Sequence, residues 1–129
     1  MTLAEISSSL PNGFHDAKLM TLDVDFSARV LNLRLAIWVG DMAVPTTRER
    51  YRPAQVYVSG LQFMVIEPPD SRYPFLKGPL TVDLMDADAS LAVLGSLTPE
   101  SFAARLYVGQ WNAFIHIGAL DARLTWVDA

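Results

Sequence analysis

From Lys18 the chain alternates apolar and polar positions, with Met20, Leu22, Val24 and Phe26 interleaved with Thr21, Asp23, Asp25 and Ser27. A period of two predicts a strand with one wet face. After a break at Ser27-Ala28-Arg29, Leu31, Leu33, Leu35, Ile37 and Val39 repeat the pattern. The two runs are expected to pair as an antiparallel hairpin, which leaves Trp38 on the nominally outer face. Further along, Val56 and Val58 share one parity while Leu61, Phe63 and Val65 share the other. Side chains alternate strictly along a strand, so this switch predicts an extra residue at Ser59-Gly60, where glycine suits a bulge. Residues 80–84 read as a short alternating strand, and 102–108 as another, in competition with a helix start at Thr98-Pro99-Glu100. The stretch 114–126 begins apolar on both faces and ends with one wet face, as in a central strand or two strands broken near Gly118. Residues 86–97 fit neither period well and read as a loop or one or two helical turns.

The N-terminus differs. Thr2-Leu3-Ala4-Glu5 fits a capping box, in which the Thr oxygen and the Glu carboxylate each satisfy a backbone N–H of the first turn. A short helix to about Ser9 is expected, ended before Pro11 and the Asn12-Gly13 turn. Together these elements predict a mainly β fold, a single-domain antiparallel β-sandwich or partly open β-barrel with a short N-terminal helix. Residues 1–13 form the helix and turn, and 40–53 and 67–79 are long loops.

Composition narrows the function classes. A chain of 129 residues that is 51% hydrophobic has the length and apolar content for one packed core and too little polarity for a disordered tail. Cysteine is absent, which removes disulfides, thiol nucleophiles and thiolate metal sites. The net charge of -4 disfavours nucleic acid. No apolar stretch predicts a membrane span and no leader pattern opens the chain, so a cytoplasmic protein is expected.

His15 and His116 are the side chains suited to titration near neutrality. His15 adjoins Asp16, but neighbours on an extended chain point to opposite faces, which argues against a dyad between them. His116 shares parity with Phe114 and Leu120, predicting a buried histidine bonded to a carboxylate such as Asp16, a structural clamp. The sharper alternative makes His15, Asp16 and His116 catalytic, or brings them together with Asp121 around zinc, iron or manganese. No HxH or HExxH spacing supports that reading. No metal and no cofactor are therefore expected. Asp23 and Asp25 read as a solvated face. Nucleotide-binding and GxSxG signatures are missing. Arg48, Arg50 and Arg52 could grip an anion, and Trp38, Tyr73 and Trp111 bring aromatic area with a polar handle. These six residues are the candidate binding set.

Phe14-His15-Asp16-Ala17 leading into a two-stranded amphipathic run, with Trp111-Asn112 before the late apolar strand, resembles a loose group of small bacterial β-proteins. Some of that group look like immunity proteins of contact-dependent or polymorphic toxin systems. The likeness spans residues 13–40 and 111–127 and brings no catalytic set. The long segments Gly40–Pro53 and Glu67–Pro79 depart from the group's pattern, which bears on any shared partner. The resulting expectation is a non-catalytic binding protein, monomer or homodimer, docking a protein partner and not a membrane. The alternatives are a small enzyme or metal-binding protein using His15 or His116 in a pocket, and a small-molecule carrier with its ligand between sheets.

Overall fold

The structure is a computed structural model that describes residues 1–40, 50–73 and 77–127. Its one helix, α1 (Leu3–Ser9), starts at the expected capping box: Glu5 N–H donates to Thr2 Oγ1, and Thr2 N–H donates to Glu5 Oε1. Leu3 and Ile6 are the buried residues of α1. They carry it onto the sheet, each contributing about 1.5–3 kcal/mol by burial.

Eight strands follow: β1 (Ala17–Asp25), β2 (Val30–Trp38), β3 (Tyr51–Ser59), β4 (Phe63–Ile66), β5 (Leu80–Asp86), β6 (Phe102–Val108), β7 (Ala113–Ala119) and β8 (Asp121–Trp126). All pair antiparallel in one sheet of order β4-β7-β6-β5-β1-β2-β3-β8. This is the mainly β, antiparallel fold with a short N-terminal helix that the alternation predicts, and the sheet does not close into a barrel.

Two corners fold that sheet over. At the first, β1 meets β5 through only three pairs, Ala17 to Val82, Lys18 to Thr81 and Leu19 to Leu80. At the second, β3 runs through Gly60, Leu61 and Gln62 into β4, while β7 passes through Leu120 into β8. β7 stands second from one end of the strand order and β8 at the other end, yet one residue connects them. The sheet must therefore bend back until its ends are neighbours, as where strands switch between orthogonally packed layers. Gly60 has φ +61°, and a Cβ there would lie 2.6 Å from the Leu120 side chain. Only glycine fits this left-handed, crowded position.

The corner also explains where the sequence pattern misleads. The parity switch at Ser59-Gly60 is a change of strand partner, not a bulge within one strand. Phe63 and Val65 stand opposite Gly118 and His116, and Met64 and Ile66 opposite Ile117 and Ile115; Met64 packs on the core while Ile66 is 48% exposed. In β1 a register shift between Leu19 and Thr21 turns Met20 outward, leaving it 55% exposed. Phe26 lies beyond the strand in the turn, 83% exposed. The inward row of β6 is as expected, with Ala104, Leu106 and Val108 buried against β7. Residues 92–96 form a short 3-10 turn.

Candidate functional site

The segment entering β1 is a chain of tight turns. His15 N–H donates to the Asn12 carbonyl and Ala17 N–H to the Phe14 carbonyl. The Asn12 side-chain amide ties this turn to the end of β2 through the carbonyls of Trp38 and Gly40. Asp16 adopts φ +53°, a left-handed conformation that aspartate tolerates better than most residues. The backbone is therefore not extended here, and the expectation that His15 and Asp16 point apart is overturned. His15 Nε2 lies 3.3 Å from Asp16 Oδ2.

A third side chain joins them. Val82 pairs with Ala17, so the next residues outward, Asp83 and Asp16, meet at the same corner. Asp83 Oδ1 lies 2.8 Å from His15 Nδ1 and accepts the Asp16 backbone N–H at 3.2 Å. One donor atom from each of His15, Asp16 and Asp83 falls within 4.8 Å of the others. The imidazole is 49% exposed, and the Trp38 ring stands 6.3 Å from it. Tyr51, opposite Trp38 in the register, directs its hydroxyl to the Asp16 carbonyl at 3.4 Å. Lys18 Nζ bonds Thr81 Oγ1 and lies 5.7 Å from the Tyr51 ring centre.

His116 is elsewhere. Its side chain is 2% exposed on the β7 face opposite Ile115 and Ile117, and its Nε2 lies 2.6 Å from Glu67 Oε2. It is buried and carboxylate-bound as expected, but its partner is Glu67, not Asp16. Glu67 Oε1 also accepts the Phe114 N–H, so one carboxylate pins the start of the 67–73 loop to β7. The other ring nitrogen, Nδ1, has no hydrogen-bond partner among the described residues. Asp121 contacts the N-terminal ammonium of Met1, which holds its carboxyl below the usual range. The four-residue convergence of His15, Asp16, His116 and Asp121 does not form.

The expected binding residues divide between two places. Trp38 belongs to the His15 corner, with Arg50 next to it through the Val39 N–H to Arg50 carbonyl bond. Arg52 lies 4.3 Å from the Trp126 ring centre. Arg48 lies outside the described residues. Trp111 and Tyr73 sit at the other place. Trp111 lines an apolar groove of about 350 Å³ with Leu19, Leu22, Ile66, Leu80 and Ile115. The Asp70 N–H donates to the Trp111 carbonyl, and the Tyr73 N–H to the Asp70 carbonyl. Arg72 grips Asp70 with both guanidinium and backbone donors, which lowers the Asp70 pKa to about 2.

Asp83 and Glu67 are the carboxylate partners of the two histidines that sequence reasoning misses. Asp83 carried one signal, its polar place in the alternating run 80–84. Glu67 carried none.

No family model matches the chain, and no curated protein does. Among solved structures, the crystal structure of an uncharacterised protein from Neisseria gonorrhoeae is similar at 12% identity and TM-score 0.41. The match covers 85% of this chain and 90% of that one. No helix among the described residues is long and apolar enough to cross a membrane.

Proposed function

We propose that the protein is a non-catalytic binding protein that docks a protein partner in the manner of an immunity protein. The observation that carries this reading is the surface at the β1–β2–β3 end, where the half-buried Trp38, Tyr51 and Asp16 stand beside the exposed His15 and Arg50. Aromatic rings beside carboxylates form a receiving surface for an arginine or lysine of the partner. The net charge of -4 favours a basic partner through the same electrostatics. His116, by contrast, is engaged in holding the 67–73 loop.

The test is side-by-side affinity capture from the source cells with wild type and with Trp38→Ala and Tyr51→Ala. The captured protein is then purified and titrated calorimetrically. A stoichiometric partner that binds wild type at least tenfold more tightly than either folded variant supports the reading. A partner indifferent to both substitutions, or no stoichiometric partner, overturns it.

The apolar groove beside Trp111 favours a second reading, a carrier of a small apolar ligand, since its volume falls in the range of ligand pockets. Quenching of Trp111 fluorescence by a hydrophobic dye, abolished in Leu22→Asp, is the matching test.

A further inference from the structure

His15 stands between two carboxylates, and the structure makes a hydrogen bond to one of them, Asp83, while Asp16 lies at ion-pair distance. The Nδ1 contact to Asp83 Oδ1 at 2.8 Å is a good hydrogen bond, with the ring as donor. A neutral imidazole that donates from Nδ1 carries a lone pair on Nε2. That lone pair faces Asp16 Oδ2, itself an acceptor, at 3.3 Å. With the ring in that neutral form, the two acceptors stand at a spacing that one shared cation would bridge.

We propose that His15 Nε2 and Asp16 Oδ2 are ligands of a divalent zinc ion, with Asp83 orienting the ring from behind. Zinc takes imidazole nitrogen and carboxylate oxygen at about 2.0–2.2 Å, and in tetrahedral geometry two such ligands lie about 3.3 Å apart. The observed separation matches. A carboxylate on the far nitrogen of a ligating histidine fixes its tautomer and raises its basicity, and Asp83 occupies that place. The mixed nitrogen and oxygen donors suit zinc better than calcium or magnesium, which take oxygen alone. Two coordination positions remain for water or for a side chain of a docked protein. This site shares its corner with the docking surface but is read on the isolated chain.

The experiment is calorimetric titration of the chain with zinc chloride, with imidazole nitrogen NMR as the site-specific readout. The expected result is one zinc per chain, a shift of the His15 Nε2 resonance, and unchanged His116 resonances. Asp16→Asn keeps a residue that tolerates the left-handed backbone while removing the charge, and His15→Gln removes the ring; each weakens zinc at least tenfold. Asp83→Asn weakens it about 10–100-fold, as loss of an orienting partner does. Absence of saturable binding up to millimolar zinc overturns the proposal. Zinc binding that leaves the His15 resonances unmoved overturns it equally. If the variants fail to fold, the wild-type NMR result decides alone. The docking test uses Trp38 and Tyr51, so either proposal can fail without the other.

Discussion

Replacing Gly118 by alanine tests the second corner directly. A Cβ at Gly118 would lie 2.2, 2.6 and 2.8 Å from three ring atoms of Phe63, directly opposite it across β4 and β7. Ordinary contact begins near 3.4 Å, so the ring must withdraw by about 1 Å. Overpacking of this kind costs about 1–3 kcal/mol. Gly118 is outside the left-handed region, so the substitution also gains about 0.4–1 kcal/mol by restricting the unfolded chain. The net expectation is a loss of about 1–2 kcal/mol in urea unfolding at unchanged m-value. In a Phe63→Ala background the obstacle is gone, and Gly118→Ala becomes neutral or stabilising. The two substitutions therefore couple by about 1–3 kcal/mol in a double-mutant cycle. A coupling below about 0.5 kcal/mol would refute the account of the corner as a ring seated on a bare backbone.

Three further outcomes follow from the packing and charges. Ile6→Ala removes one of the two buried anchors of α1 and costs about 2–5 kcal/mol in urea unfolding. Glu67→Ala leaves the His116 ring and the Phe114 N–H without their shared acceptor, costing about 2–4 kcal/mol, with faster amide exchange through residues 67–73. The depressed pKa of Asp70 stabilises the folded chain above the ordinary carboxylate range near 3.8, and that contribution disappears as pH falls through about 2. Carboxyl-carbon NMR should show Asp70 titrating near 2 in wild type and closer to 3.8 in Arg72→Ala; a midpoint unmoved by the substitution contradicts the assigned cause.

Local pattern was enough for the local parts of this fold. The capping box of α1, the β1–β2 hairpin and the inward row of β6 depend on residues a few positions apart, and each is where the periodicity predicts. What failed depends on partners distant in sequence. The switch of parity after Ser59 looks like a bulge until β4 is known to pair with β7 rather than continue beside β2. The His15 site failed on two counts: the left-handed Asp16 breaks the rule of alternating directions, and Asp83 arrives through β1–β5 pairing 67 positions away. Neither is written in the four residues Phe14 to Ala17.

The two histidines show how burial separates similar constellations. Each has a carboxylate within hydrogen-bond distance, but His116 is almost sealed by its surroundings and its Nδ1 faces no partner. An ion entering there would have to displace the Glu67 contact that anchors a loop. His15 instead stands half in solvent, immediately outside the three residue pairs that join the two halves of the sheet. Asp16 belongs to one half and Asp83 to the other, so whatever cation sits with His15 also clasps the first corner. A ligand bound only by the folded chain adds stability in proportion to its saturation, about 2.7 kcal/mol at one hundred times its Kd. Because only three pairs hold β1 to β5, zinc should slow amide exchange first in residues 17–19 and 80–82, while leaving the β2–β3 pairing, nine residue pairs long, unaffected. Uniform protection across the sheet would mean that the ion acts elsewhere than at this corner.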